Sequence, residues 1–294
     1  MLPDNQIKLV HNQFMYMPHG FNIALSQALG KYIMVMSGHS TLKRDYISNS
    51  IKAMTKYNVQ CVSGTIETIQ ENFIGKIISI SQSSLFGVGN STFRLDAKKG
   101  KYVDTGVFGF YDSKIFLQIG GMDEELIKNQ DDEFNFRLIQ SGGKIWFDPT
   151  IKSKYFSRTS LIYLFKQYFF YGFYKVRVFQ KRKGVASSRQ LVPAIFILSI
   201  VVSILLKILT GNHIYFTITF GIYIATSLIF SFATIVKRKK KLFFVPILQL
   251  SYFVIHSSYG LGFILGLIYF MNKWNKRDTK DSNFNKLNFA KYNF

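Results

Sequence analysis

The sequence predicts an α/β domain of about 180 residues followed by apolar segments that must lie in a lipid bilayer. Two observations carry this. Almost all of the sixteen acidic residues precede Leu191, whereas Leu191 to Met271 contains none. Before that boundary, short apolar runs alternate with stretches of helical spacing, the pattern of a parallel sheet covered by helices.

The elements follow in order. Ile7-Lys8-Leu9-Val10 is a short strand candidate, and Phe21 to Leu29 reads as a helix stopped at Gly30. Tyr32 to Met36 reads as a buried strand ending at Ser37-Gly38-His39. Ligands of such sheets bind outside the carboxyl ends of strands, which puts these three residues in a functional place. A helix from Asp45 to Lys56 and a strand from Val59 to Val62 come next. Tyr102 to Tyr111 suggests a strand, Asp131 to Gln140 a helix, and Lys144 to Phe147 a strand closed by Pro149. Asp131, Asp132 and Glu133 at a helix start have a structural reading, because carboxylates there complement the macrodipole and cap free N–H groups. From Leu161 to Phe179, aromatic and basic residues share an amphipathic helix suited to a membrane interface, or to a stripe of core aromatics.

Leu191 to Leu209 and Ile214 to Val236 are each long enough to cross a hydrocarbon core of about 30 Å. Pro193 falls in the first turn, where its missing N–H costs little, and Lys207 can snorkel at the far end. Gly211-Asn212-His213 is then an outer turn, and Lys237-Arg238-Lys239-Lys240-Lys241 an inner one. Leu242 to Met271 is broken by Pro246 and by His256-Ser257-Ser258-Tyr259-Gly260-Leu261-Gly262. One crossing would leave the basic tail outside, so a bent hairpin or in-plane helix is expected, with Gly260, Gly262 and Gly266 permitting close packing. The expected divisions are 1–188 with an interfacial helix near 160–183, a membrane region 189–272, and a basic polar tail 273–294.

The net charge of +21 would suggest nucleic acid for a soluble chain. Here the excess flanks the apolar blocks, at Lys175 to Arg189, Lys237 to Lys241 and Lys273 to Lys280, where it meets anionic headgroups. No recognisable nucleic-acid fold accompanies the basic runs, so no nucleic-acid partner is expected. Cys61 is the only cysteine, which excludes an intrachain disulfide. The N-terminal Met-Leu-Pro-Asp-Asn has no basic segment followed by an apolar run, so no signal peptide is expected. A multi-pass plasma-membrane protein with its α/β domain in the cytoplasm follows.

Seven pieces occur in a telling order: Pro18-His19-Gly20-Phe21-Asn22-Ile23-Ala24, Gly30-Lys31-Tyr32-Ile33, Ser37-Gly38-His39, Gly87-Val88-Gly89-Asn90-Ser91, Gly120-Gly121-Met122-Asp123-Glu124, Asn129 to Arg137, and Gln167-Tyr168-Phe169-Phe170-Tyr171-Gly172. Together they resemble family 2 glycosyltransferases, and within these the membrane-bound succinoglycan and exopolysaccharide type. The resemblance implies an incomplete GT-A (Rossmann-like) fold, a nucleotide-sugar donor, a lipid-linked or polysaccharide acceptor, a divalent metal and transfer with inversion. By the same resemblance Asp131 is the base and Asp132 the adjacent second candidate. Ser37-Gly38-His39 corresponds to the metal motif, with His39 as ligand. Ser37 stands where the family has an Asp, which weakens the case for Mg²⁺ or Mn²⁺. Gln167, Gly172 and Lys175 correspond to the region near donor diphosphate and acceptor, and Arg94 to an acceptor loop.

The family's opening βαβ unit, which holds the nucleobase, has no counterpart in this sequence. The expectation is a truncated or split enzyme, with room for a separately encoded N-terminal half. The rival expectation is a non-catalytic remnant or scaffold of a polysaccharide-assembly complex.

Overall fold

The computed structural model describes residues 7–70, 72–89, 97–156, 160–182 and 188–274. Its sheet has strands β1 (Tyr32–Met34), β2 (Ser40–Leu42), β3 (Cys61–Ile69), β4 (Lys101–Tyr102), β5 (Phe110–Asp112) and β6 (Ile145–Phe156). The order is β1-β5-β3-β6-β2, with β4 also on β6. The sheet is mixed, not parallel as expected: β3 and β6 run parallel, and every other pairing is antiparallel.

Successive side chains of a strand point to opposite faces, so each central strand feeds two cores. Ile33, Cys61, Tyr111 and Ile145 face helices α1 (Met17–Leu25), α5 (Lys114–Ile119) and α6 (Gln130–Gln140). Their neighbours Val62, Phe110 and Trp146 face α2 (Tyr46–Tyr57).

Several boundaries differ from expectation for identifiable reasons. Residues 7–10 form no strand, and Leu9 is 97% exposed, since no partner strand lies beside it among the described residues. The first helix starts earlier, at Met17, because Pro18 fits a first turn, and it ends at Leu25. The segment expected as one strand from Tyr102 to Tyr111 is two short strands, β4 and β5, separated by a glycine-containing loop. β6 does not stop at Pro149. Its register against β3 jumps from Gly64–Asp148 to Thr65–Lys152, so Pro149 sits in a bulge where no N–H is required. A Cβ at Gly64 would lie 2.1 Å from the Ile151 carbonyl oxygen, so only glycine lets the strands approach there.

Two helices, α3 (Phe73–Gln82) and α4 (Leu85–Val88), lead away from the sheet toward the membrane half. The long α7 (Leu161–Arg182) follows β6 and precedes α8 (Val192–Thr210), α9 (Ile214–Lys237) and α10 (Val245–Tyr269). α8 and α9 match the two expected spans, with Gly211 ending α8 in the left-handed conformation. Of the hairpin and the in-plane helix expected for the third block, the hairpin is corrected, since α10 is one uninterrupted helix. Its serines do not break it, because the Ser257 and Ser258 hydroxyls bond back to the carbonyls of Phe253 and Val254, at 2.6 Å each. The glycines serve packing, as expected. A Cβ at Gly260 would meet Pro193 O at 2.3 Å, one at Gly262 Phe169 O at 2.0 Å, and one at Gly266 Phe173 O at 2.6 Å.

Candidate active site

The first turn of α6 is positioned from three directions. Asn22 of α1 is fully buried, and its amide accepts the Met122 N–H (2.8 Å) and donates to the Met122 carbonyl (2.8 Å) and Glu124 Oε1 (2.9 Å). The loop Gly120 to Glu125 is thereby fixed before α6. Asn129 sits at the N-cap position with φ of 62°, a conformation that Asn tolerates better than most residues, and its side-chain amide, making no cap bond, donates to the Tyr171 carbonyl of α7 at 2.9 Å. From the sheet, the Tyr111 hydroxyl donates to Asn135 Oδ1 at 2.9 Å, and Asn135 Nδ2 donates to Thr105 Oγ1 at 3.2 Å.

The three acidic residues that follow Gln130 have different fates. Asp131 Oδ1 accepts the Asp132 N–H at 2.9 Å. Asp132 Oδ2 holds the Lys175 ammonium. Glu133 turns inward, fully buried, and takes three bonds from Arg137 at 2.9–3.1 Å as well as an ion pair from Arg182. Burial, reinforced by the neighbouring Asp132 charge, raises the Asp131 pKa above the usual aspartate value; backbone N–H groups and Lys175 offset part of this. Burial pulls the Lys175 pKa down, but Asp132, together with Tyr259 and Asp131, outweighs it and the net shift is upward.

Basic residues of α7 continue this pairing. Arg177 bonds both Glu125 oxygens, at 2.9 and 3.0 Å, and Lys181 reaches Asp123 and Glu125. Lys273, just past α10, bonds Glu125 at 2.9 Å. Burial alone would raise the Glu125 pKa, but these three cations hold it down to about 2.

The structure brings Asp131, Asp132 and Lys175 together at the start of α6. Gln167 donates to the Tyr171 hydroxyl at 3.0 Å and lies near Gln82, while Gly172 packs against the Tyr259 backbone of α10. Lys175, expected near the donor diphosphate and acceptor, is buried and paired with the Asp132 carboxylate. Arg94 lies outside the described residues. The Ser37 carbonyl accepts two bonds from Ser40 inside a turn, and His39 is exposed with its ring 4.8 Å from that of Tyr155. One imidazole and a turn hydroxyl do not make a donor set for a hard divalent ion, which prefers anionic oxygens. Among the described residues no three His, Cys, Asp or Glu side chains converge. No step is therefore derived through a metal.

Sequence reasoning missed Asn22, Asn135, Tyr111 and the Glu133-Arg137-Arg182 cluster as builders of the site. The polar residues had a visible signal, an Asn or Glu on a face otherwise occupied by Phe134 and Leu138. Their partners lie as far as 102 residues away, which no local pattern reveals.

Paired carboxylates at a helix start, on a mixed α/β domain packed against long apolar helices, are the arrangement of a membrane-bound α/β protein. No protein-family model matches the chain. It is 30% identical over 269 residues to the dolichyl N-acetyl-α-D-glucosaminyl phosphate 3-β-D-2,3-diacetamido-2,3-dideoxy-β-D-glucuronosyltransferase of Methanococcus voltae, covering 89% of this chain and 78% of that protein. It is also 28% identical over 162 residues to the succinoglycan biosynthesis protein ExoA of Rhizobium meliloti, covering 55% of this chain and 49% of that one. The chain belongs to the family 2 type of membrane glycosyltransferases, enzymes of glycan and exopolysaccharide synthesis.

Proposed function

We propose that this chain transfers a sugar from a nucleotide-sugar donor to a lipid-linked acceptor, with Asp131 as the base. The base takes the proton of an acceptor hydroxyl as that oxygen forms its bond to the anomeric carbon. The bond from that carbon to the diphosphate breaks on the opposite face, so the nucleoside diphosphate leaves and the configuration inverts. The observation that carries this is the asymmetry of the carboxylate pair. Asp132 is bound to an ammonium, whereas Asp131 is not hydrogen-bonded to that cation and holds a raised pKa, as a base working near neutral pH requires.

The acceptor class follows from the membrane setting and from the first relative, which is named for action on a dolichyl-linked sugar phosphate. The basic loop Lys237 to Lys241 between α9 and α10 supports a cytoplasmic α/β domain.

Asp131→Asn tests the assignment in membranes given labelled nucleotide-sugars. Transfer is expected to fall about 10²- to 10⁴-fold, with expression unchanged. Transfer undiminished in Asp131→Asn overturns the assignment, and a scaffold would keep its cellular phenotype with the same substitution.

A further inference from the structure

α10 has 25 residues and is therefore about 38 Å long, enough to cross a bilayer. The mean hydropathy of Leu242–Tyr269 is nevertheless the lowest of the three apolar segments, 1.4 against 2.7 for α8 and 1.8 for α9. What the two ends of α10 touch decides whether it crosses. Before its N-terminal end, Phe243 and Phe244 pack on Phe73, with ring centroids 5.6 and 5.1 Å away. Phe73 opens α3 and follows the end of β3 at Ile69 so closely that it lies within about 14 Å of the sheet. At the C-terminal end, the Phe270 carbonyl accepts from Gln180 at 2.8 Å, the Lys273 carbonyl accepts from Arg177 at 3.1 Å, and the Lys273 ammonium donates to Glu125 at 2.9 Å. Glu125 belongs to the loop that Asn22 of α1 holds, and α1 packs on the sheet through Leu25. Both ends are thus held by one α/β domain, whose α2 exposes Lys52 and Lys56. A charged exterior keeps such a domain in water on one side of a bilayer.

The middle of α10 agrees. It meets α8 in the first two turns of that span: a Cβ at Gly260 would lie 2.3 Å from Pro193 O and 2.6 Å from the Ile197 side chain, and Ala194 shares a cluster with Phe263. Near the end of α9, Ile235 packs with Leu248 and Tyr252. Tyr223 of α9, stacked on Phe196 in the second turn of α8, reaches His256 at 3.0 Å. The exposed residues of α10 include Pro246, Leu250, Leu261, Leu265 and Ile268, whose spacing returns them to one side of the helix, whereas Ser251 and Ser258 are fully buried.

We propose that α10 does not cross the membrane but lies within the leaflet nearer the α/β domain, with this apolar stripe against lipid. α8 and α9 are then the crossings among the described residues, and the chain beyond α10 emerges on the side of the α/β domain. The partner is the lipid of that leaflet: the boundary of headgroups and acyl chains for the stripe, and anionic headgroups for the exposed Lys239, Lys240 and Lys241 at its N-terminal end. This placement is independent of the reaction that Asp131 serves.

The test uses the full chain in sealed membrane vesicles of known orientation, treated with a membrane-impermeant maleimide before and after permeabilisation. Cys61 is buried, so the wild type is the unlabelled control. Asn212→Cys should label from one side, and Lys239→Cys and Trp274→Cys from the other; all three positions are exposed. Any other grouping overturns the proposal, above all Trp274→Cys labelled together with Asn212→Cys. A second measurement reads depth, as quenching by lipids brominated at different chain positions of a fluorophore on Leu250→Cys, Leu261→Cys and Ile268→Cys. All three should be equally shallow, and shallower than Val202→Cys in the middle of α8. A steady change of depth from Leu250 to Ile268 overturns the proposal, and this measurement decides it if Trp274→Cys is labelled from neither side.

Discussion

α8 and α10 are both apolar, uncharged over most of their length and long enough to cross a bilayer, yet they are used differently. Only 17% of the apolar window of α8 is buried within the protein, and the same holds for α9; for α10 the share is 50%. The exposed leucines, isoleucines and phenylalanines of α8 and α9 have no covering protein and take lipid as their solvent. α10 instead lies against α3 through Leu248 and Tyr252, against α4 through His256 and the Phe86 carbonyl (2.8 Å), and along α7 through its glycines. Hydropathy reports that a segment avoids water; it does not report whether lipid or protein replaces the water.

α7 sharpens the contrast, since one helix meets both environments. Gly172 and Val176 pack against α10, while Lys175, Arg177, Lys181 and Arg182 pair with Asp132, Glu125, Asp123 and Glu133 of the loop before α6 and its first turn. α7 thus stands between α10 and the first turn of α6, where Asp131 and Asp132 lie.

The largest expected effect sets one glycine of the apolar helices against another. Gly262→Leu drives a side chain into the Phe169 carbonyl, 2.0 Å from a Cβ, and should cost more than about 3 kcal/mol, enough to prevent a cooperative melt in detergent. Gly221→Leu in α9 meets nothing within 4 Å and should change stability by about 0.5 kcal/mol or less. Equal losses in thermal melts of the two variants would end the distinction between α10 and the α8–α9 pair.

A smaller effect concerns the coupling of α7 to the site. A base must be ionised, so the acid limb of kcat/KM should lie above the ordinary aspartate range, because the Asp131 pKa is raised. Asp132→Asn removes a charge that raises it and should move the limb to lower pH. Lys175→Met removes a cation that lowers it and should move the limb upward. Profiles that shift in the opposite sense would assign the limb to another group.

The smallest effect is expected at Lys273, which is 42% exposed and shares Glu125 with two buried cations. Lys273→Gln should cost under about 1 kcal/mol in a detergent melt, as solvent-exposed pairs generally do. A loss of several kcal/mol would show that α10 is tied to the Gly120–Glu125 loop by charge more than by its glycine packing.

Much of this was legible before any coordinates. The helix from Tyr46 to Tyr57 lies within one residue of its expected bounds, and so do α8, α9 and the start of the Asp131 helix, because each is a local pattern of spacing or a long apolar run. The ordered motifs identified the family, which the relatives bear out. Illegible were the mixed sheet and the course of β6 past Pro149, which depend on a bulge against Gly64 in a strand more than eighty residues earlier.

Composition and the order of its segments determined an α/β domain with a membrane part, and the resemblance of its ordered motifs to family 2 glycosyltransferases pointed to Asp131 as the proposed base with Asp132 beside it. Only the tertiary structure decided which carboxylate binds the Lys175 ammonium, why Glu133 is buried, and that Lys175, Arg177, Lys181 and Arg182 of α7 face protein carboxylates. The reason is physical. Periodicity and hydropathy are properties of neighbours along the chain, whereas the state of a charge depends on what surrounds it in space, and those groups come from segments the sequence keeps far apart.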